Sequence, residues 1–166
     1  MAETVTACVA LGSNLDDPRV QVERGFAALA ALPRTILRAR SRLYRTPPWG
    51  VVDQPDFINA AARLETTLAP REMLDALLAI EVGAGRVRGA RNGPRILDLD
   101  LLLYGGRVVD EPDFVVPHPR LHARAFVLLP LADVAPELDV PGQGRVAELL
   151  KRVDTAGCVE IDCDRP

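Results

Sequence analysis

The fold is decided by the stretch Arg91-Asn92-Gly93-Pro94-Arg95-Ile96-Leu97-Asp98-Leu99-Asp100-Leu101-Leu102-Leu103-Tyr104-Gly105. Its second half is apolar at nearly every position, which predicts a buried strand, yet it carries two carboxylates. Side chains two residues apart on a strand point to the same face, so Asp98 and Asp100 should lie side by side. Two like charges in an apolar strand are costly unless positive charge compensates them.

Two kinds of partner can compensate this carboxylate pair: arginine side chains or a metal ion. The segment before the strand supplies Arg86, Arg88, Arg91 and Arg95, which could form an ion-pair network. Neighbouring carboxylates are equally typical of a site for Mg²⁺, which prefers oxygen ligands. The pattern alone leaves both interpretations open.

The composition is ordinary for a soluble globular protein. The chain has 166 residues, 48% of them hydrophobic and 26% charged, which excludes disordered and fibrous classes and predicts a single domain over residues 1–166. A net charge of −3 argues against nucleic acid as a partner. No apolar run is long enough to cross a membrane, and the N-terminus lacks the basic region of a signal peptide. We therefore expect no membrane partner and a cytoplasmic location.

Hydrophobic periodicity predicts the element order strand, helix, strand, strand, helix, strand. This order indicates an α+β protein with a ferredoxin-like βαββαβ core, in which the aspartate strand is central. Asp17 is expected to cap the first helix, with Pro18 at its first position. The first three strands are predicted over residues 4–11, 36–44 and 57–64, and the helices over residues 18–33 and 70–83.

The chain after the aspartate strand predicts additions to this core. Gly105-Gly106 indicates a hairpin into a short extra strand, and Pro117-His118-Pro119 indicates a rigid turn. Residues 123–134, interrupted at Pro130, and residues 146–153 are predicted to be helices. These C-terminal helices should cover the second face of the sheet and give three α/β/α layers.

The aspartate strand follows an arginine-rich loop, residues 83–95, and a second long loop covers residues 45–56. Neighbouring carboxylates and several arginines are the groups needed for Mg²⁺-dependent phosphoryl transfer, because the carboxylates bind the cation and arginines hold phosphate oxygens. The chain has no G-x-x-x-x-G-K-[ST] sequence, which excludes a Walker-type nucleotidase.

Six motifs occur in order between about residue 5 and residue 140, and each alone is weak. They are Leu11-Gly12-Ser13-Asn14-Leu15, Tyr44-Arg45-Thr46-Pro47-Pro48-Trp49-Gly50, Asp53-Gln54-Pro55-Asp56-Phe57-Ile58-Asn59-Ala60, Gly85-Arg86-Val87-Arg88, Gly93-Pro94-Arg95-Ile96-Leu97-Asp98-Leu99-Asp100, and Pro117-His118-Pro119 with Arg124-Ala125-Phe126. Together, at compatible spacing, they closely resemble the 6-hydroxymethyl-7,8-dihydropterin pyrophosphokinase family of folate biosynthesis.

The resemblance implies transfer of a diphosphoryl group from ATP to the hydroxymethyl oxygen of the pterin, with release of AMP. It implies that Asp98 and Asp100 bind two Mg²⁺ ions, so that no side-chain base is required. ATP and the pterin are the expected partners of a monomeric enzyme. The residues that it places on ATP phosphates are Arg86 and Arg95, which would also act in catalysis, together with His118, Arg124, and the loop residues Arg88 and Arg91.

The resemblance also implies a pterin pocket, in which Phe57 and Phe126 stack on the two ring faces. Asn59 would bind the amide-like edge of the ring, and backbone groups of Thr46, Pro47 and Trp49 would complete the pocket. The alternatives are that both phenylalanines are ordinary core residues and that His118 is a surface turn residue. Glu81 also holds a motif position, where pairing with Arg86 or Arg88 is the competing interpretation.

The chain departs from the family pattern at Asn92, where many members have an aromatic residue. We expect the arginine-rich loop to pack less firmly over bound substrates as a result. Two other functions compete with an active enzyme: an RNA-recognition module, which requires exposed aromatics and a basic surface, and a pterin-binding protein that has lost turnover. Neither would convert ATP to AMP.

Overall fold

The computed structural model describes residues 3–48, 53–85 and 96–161. They form a mixed α/β structure with an antiparallel sheet and four α-helices. In chain order the elements are β1 (Val5–Ser13), α1 (Pro18–Ala30), β2 (Thr35–Arg40), β3 (Leu43–Thr46), β4 (Phe57–Thr66), α2 (Pro70–Gly83), β5 (Asp98–Tyr104), β6 (Val109–Glu111), β7 (Phe114–Val116), a 3-10 helix (Leu121–Ala123), α3 (Ala125–Val134), β8 (Asp139–Val140), β9 (Gly144–Arg145), α4 (Val146–Leu150) and β10 (Val159–Ile161).

The main sheet has six strands in the order β10-β3-β4-β1-β5, with β2 also paired to β4. Every pair in it is antiparallel. The small pairs β6-β7 and β8-β9 lie outside this sheet. The ten-residue β4 is the organising strand, because β1 covers one of its edges and β2 and β3 follow one another along the other.

Helices cover both faces of the sheet, and each face has its own hydrophobic core. Strand β1 shows the alternation expected of such a layer. Val9 and Leu11 point into the first core, with α1 and α2, whereas Cys8 points into the second core, with α3 and α4. The described residues contain no helix with the length and apolar character needed to span a membrane.

The single strand predicted over residues 36–44 is wrong, because the chain there forms two strands. Ser41, between β2 and β3, donates its N–H to the carbonyl of Ala61 at 2.9 Å, and its hydroxyl accepts the N–H of Ala61 at 2.8 Å. The next backbone N–H, that of Arg42, donates to a carboxylate oxygen of Asp133 at 3.1 Å. Contacts from distant parts of the chain therefore interrupt the strand.

The central position predicted for the aspartate strand is also wrong, because β5 is an edge strand that pairs with β1 alone among the described strands. The strand is apolar on both faces because it contributes side chains to both cores. Leu101 packs in the first core, and Leu102 packs in the second core. Its outer edge is covered by other groups. Glu81 accepts the N–H of Leu99 at 2.7 Å, and the N–H of His118 donates to the carbonyl of Leu102 at 3.3 Å.

Four local predictions need correction. Asp17 makes no side-chain cap, because its φ of 61° is left-handed, whereas a residue whose side chain caps a helix is typically in the β region. The turn at Gly105-Gly106 does not form a hairpin in which the next strand pairs with β5. That next strand, β6, pairs with β7 instead. Helix α3 continues through Pro130, held on the sheet by buried neighbours such as Leu128 and Leu131, and α4 ends at Leu150.

Candidate active site

The candidate site lies at one end of the sheet, where three strands bring an amide, a glycine and a carboxylate into one row. Gly12 of β1 is directly opposite Asn59 of β4 and also directly opposite Asp98 of β5. Paired residues share a face of a sheet, and neighbouring strands lie about 4.8 Å apart, so Asn59 and Asp98 stand about 10 Å apart on one face. This is the face that α3 and α4 cover.

Glycine at the middle of this row leaves space that the amide uses. A side chain at Gly12 would place its Cβ 2.8 Å from Oδ1 of Asn59, a distance that requires a shift. The absence of that Cβ lets the Asn59 side chain reach over β1. Its Nδ2 donates to Oγ1 of buried Thr46 at 2.6 Å, and Thr46 is the register partner of Phe57. Three of the predicted pterin-binding residues are thus brought together.

The two carboxylates lie on one face of β5, as the period-two pattern predicts. Asp98 and Asp100 are partly exposed, whereas Leu99 and Leu101 between and beyond them are buried. The pair can therefore accept ligands from the same side. Among the described residues, no group of three or more His, Cys, Asp or Glu side chains is placed to hold a metal ion.

This donor set fits a magnesium ion that is shared with a substrate. Mg²⁺ is usually bound through one or two carboxylates, while substrate phosphates and water supply the remaining oxygens. Two neighbouring, partly exposed aspartates provide the protein's part of such a site. They would not by themselves form a closed metal site.

His118 and Arg124 lie close enough to the carboxylates to interact with them electrostatically. Burial lowers the pKa of His118, nearby Arg124 lowers it further, and Asp98 opposes the shift. Burial also lowers the pKa of Arg124, with a contribution from Arg120, while Asp100 and Asp98 favour its charged form. The site thus has partly buried cationic and neutral donors facing two carboxylates, which is an arrangement suited to phosphate.

The imidazole of His118 has a defined orientation. Its Nδ1 accepts the backbone N–H of Arg120 at 3.3 Å, so a neutral ring carries its proton on Nε2. The Nε2–H can then donate a hydrogen bond to a phosphate oxygen. His118 is half-buried and lies close enough to Asp98 to interact with it electrostatically.

Glu81 holds the carboxylate strand from its outer edge. This residue near the end of α2 is 2% exposed, and its Oε2 accepts the N–H of Leu99 at 2.7 Å. Leu99 stands between the two aspartates, so the bond fixes the strand where they project. The competing pairs of Glu81 with Arg86 or Arg88 involve residues outside the described ranges.

Phe126 and Arg124 approach this end of the sheet from α3. The Arg124 guanidinium lies 5.5 Å from the centroid of the Phe126 ring. Both line a cavity of about 680 Å³ together with Thr46 and Pro47. Predicted pterin-binding and phosphate-binding residues thus border one cavity.

Several predicted site residues fall outside the described ranges. They are Trp49, Arg86, Arg88, Arg91 and Arg95, together with the variant loop position Asn92. Their roles remain predictions of the sequence.

Sequence reasoning gave no role to Asn14, which the structure places in the support of this site. Its side chain is 2% exposed, and its Nδ2 donates to Oε1 of Gln54 and to the carbonyl of Pro55, both at 2.9 Å. The turn after β1 is thereby tied to the segment that enters β4 at Phe57. The Gly12-Ser13-Asn14 motif contains the signal, although only the fold shows its partner.

Comparison with known proteins gives one consistent family. The family model described as 7,8-dihydro-6-hydroxymethylpterin-pyrophosphokinase matches residues 8–136. A 2-amino-4-hydroxy-6-hydroxymethyldihydropteridine pyrophosphokinase of Pseudomonas aeruginosa is 54% identical over 86% of this chain and 88% of its own length. The enzyme of the same name from Haemophilus influenzae is 43% identical over 89% of this chain and 92% of its own.

Solved structures agree at the level of the fold. A Plasmodium falciparum HPPK-DHPS triple mutant with STZ-DHP matches with a TM-score of 0.70 and 15% identity, over 90% of this chain and 43% of that chain. Our chain therefore spans less than half of that longer protein, and at this identity the likeness concerns the fold alone. The family match and the two bacterial relatives carry the assignment, and the chain belongs to the 7,8-dihydro-6-hydroxymethylpterin-pyrophosphokinase family.

Proposed function

We propose that this site transfers the terminal diphosphoryl group of ATP to the hydroxymethyl oxygen of 6-hydroxymethyl-7,8-dihydropterin and releases AMP. Family membership gives the chain its pyrophosphokinase activity in folate biosynthesis. The observation that supports the proposed roles is the row Asn59, Gly12, Asp98 across three strands. It places the two residues two strands apart on one face, with about 10 Å between their backbone positions. A bicyclic ring lying on this face can present its amide edge to Asn59 and its hydroxymethyl group toward Asp98.

The pterin end of the site would be formed by Asn59, Phe57 and Phe126. The hydrogen bond to Thr46 at 2.6 Å fixes the Asn59 amide, leaving one N–H and Oδ1 to face the donors and acceptors of the ring edge. Phe57 and Phe126 would stack on the two ring faces, and backbone groups of Thr46, Pro47 and Trp49 would complete the pocket. A fixed amide recognises the ring without first losing side-chain entropy.

The phosphate end would be formed by the carboxylate pair and the basic residues. Asp98 and Asp100 would hold two Mg²⁺ ions, which when bound neutralise phosphate charge and lower the pKa of the attacking hydroxyl. Nε2–H of His118 and the guanidinium of Arg124 would donate to phosphate oxygens. Arg86 and Arg95 would contact the transferred group, with Arg88 and Arg91 assisting from the same loop.

We also assign the sheet to the ferredoxin-like class, with residues 1–166 as one pyrophosphokinase domain acting as a monomer. With β2 and β3 counted as one interrupted strand, the chain follows the order βαββαβ and the sheet order β5-β1-β4-β3. Helices α3 and α4 then form the third layer. Sedimentation that gives a dimer at enzyme-assay concentrations would refute the monomer.

The reaction is tested by phosphorus NMR of the protein with ATP, Mg²⁺ and 6-hydroxymethyl-7,8-dihydropterin. We expect signals of AMP and of a pterin diphosphate to appear together, and none without the pterin. Formation of ADP and phosphate would refute diphosphoryl transfer. Tight pterin binding without any ATP consumption would instead support the pterin-binding protein that has lost turnover.

A further inference from the structure

The segment after α4 passes beside the proposed pterin pocket at Gly157 and then joins the main sheet. Its strand β10 pairs with β3, with Val159 opposite Arg45 and Ile161 opposite Leu43. A side-chain bond at 3.0 Å also joins Arg42 to Glu160. The segment is therefore anchored along the strand that leads into Thr46 and Pro47.

Within this segment Gly157 lies so close to Pro47 that a side chain at position 157 would make a tight contact with the proline ring. A Cβ at position 157 would lie 3.3 Å from Cγ and 3.4 Å from Cδ of Pro47. The backbone of Gly157 is outside the left-handed region, so its conformation is open to other residues. The close approach to Pro47 is therefore what disfavours a larger residue here: a Cβ at position 157 would require Pro47 or the segment to shift by a few tenths of an ångström.

The same segment borders the cavity described above. Its Val153 and Gly157 line the cavity together with Thr46, Pro47 and Phe126, and Gln143 and Leu149, which lie earlier in the chain, also line it. The family match ends at residue 136, so this side of the cavity is built by a part of the chain beyond the match.

We propose that Gly157 is a positioning residue for the pterin pocket: it sets the place of Pro47 and, through it, of Thr46 and Asn59. The inference rests on the proposed function, which puts these three residues on the pterin. Pro47 directly follows Thr46, and the Thr46 hydroxyl holds the Asn59 amide at 2.6 Å. A shift of Pro47 by a few tenths of an ångström therefore reaches the group that recognises the ring edge, while the carboxylate strand is unaffected.

The test replaces Gly157 by alanine and by valine and measures pterin binding directly, by fluorescence titration, beside steady-state kinetics. We expect the pterin Kd and KM to rise by about threefold in Gly157→Ala and by about tenfold or more in Gly157→Val, because small displacements of binding groups weaken binding steeply. The KM for ATP should stay unchanged. Gly106→Ala is the matched control, since Gly106 is exposed and a Cβ added there would meet no atom within 4 Å.

A double-mutant cycle with Pro47→Ala separates positioning from general damage to the fold. Alanine at position 47 removes the Cγ and Cδ atoms that a side chain at position 157 would meet, so Gly157→Val should add little to the Kd of Pro47→Ala. Additive effects, equal rises in both KM values, or wild-type pterin binding by Gly157→Val would overturn the inference. Failure of the wild-type protein to bind the pterin would refute the proposed function instead.

Discussion

Replacing Glu81 by leucine should destabilise the protein and weaken its use of Mg²⁺. Glu81 is 2% exposed and accepts the N–H of Leu99, itself 6% exposed, at 2.7 Å. Leucine has no acceptor, and a buried donor left unsatisfied costs about 1–3 kcal/mol. In a chain of this size 1 kcal/mol corresponds to about 2–4 °C in Tm, so a loss of about 2 kcal/mol lowers Tm by about 4–8 °C.

The matched variant is Glu81→Gln, whose side-chain oxygen can still accept the N–H of Leu99. We expect it to lose less than about 1 kcal/mol, because the hydrogen bond remains and only its charge assistance is lost. Thermal unfolding and urea titration of both variants measure the difference. If both variants unfold at the same temperature and urea concentration as the wild-type protein, the bond to Leu99 does not hold the strand.

The functional consequence follows from the position of Leu99 between Asp98 and Asp100. When this stretch of strand loses its outer support, the two carboxylates lose their fixed separation. Groups that orient metal ligands typically contribute about 10- to 100-fold to metal affinity. The Mg²⁺ concentration that gives half-maximal activity should therefore be about tenfold higher in Glu81→Leu than in the wild-type protein. Unchanged Mg²⁺ dependence in a folded Glu81→Leu would refute the positioning role.

Three further predictions concern other groups. Asp98→Asn and Asp100→Asn should each abolish AMP formation while leaving the circular dichroism spectrum unchanged; wild-type rates would make the carboxylates structural. Cys8 is fully buried and burial raises its pKa to about 12, so iodoacetamide should modify it only after unfolding, as mass spectrometry of digests would show. Asp133→Ala should lower the free energy of unfolding, measured with urea at about pH 7, by about 1–3 kcal/mol. The reason is that the hydroxyl of buried Tyr44 donates to this carboxylate at 2.8 Å. An equal loss in a Tyr44→Phe background would contradict that explanation.

The stability difference between wild type and Asp133→Ala should become smaller in acid. Burial raises the pKa of Asp133, but hydrogen bonds from Arg42 and Tyr44 outweigh it and hold the pKa below its ordinary value of 3.8. A carboxyl whose pKa is lower in the folded state stabilises the fold above the pKa of the unfolded chain. That stabilisation is lost as the pH falls through the lower, folded value. The difference between wild type and Asp133→Ala should therefore shrink below about pH 4.

The sequence predicts best what depends on neighbours along the chain. The shared face of Asp98 and Asp100 follows from the two-residue period of a strand, which is a local property. The break between β2 and β3 does not, because it depends on Ala61 and Asp133, which lie far along the chain. Strand β10 was missed for the same reason: three residues carry little pattern, and pairing with β3 defines them.

The site residues show the same division. The resemblance to a family predicts that Asn59 and Thr46 belong to the pterin pocket. Their hydrogen bond and the space above Gly12 depend on strand register, which the resemblance does not describe. No periodicity predicts that Gly12 must be opposite both Asn59 and Asp98. Register is set by the hydrophobic faces of all three strands together, so it becomes visible only in the assembled sheet.

The error over the position of β5 also explains how the site is assembled. A strand with apolar residues on both faces is typical of the middle of a sheet, where other strands occupy both of its edges. Because no other described strand pairs with the outer edge of β5, its backbone groups there bond to Glu81 and to the turn that carries His118. That turn leads through the 3-10 helix to the start of α3, where Arg124 lies close enough to the carboxylates to interact with them electrostatically. An additional strand at this edge would take the backbone groups that now hold Glu81 and His118, so the edge position is what allows acidic and basic groups to meet here.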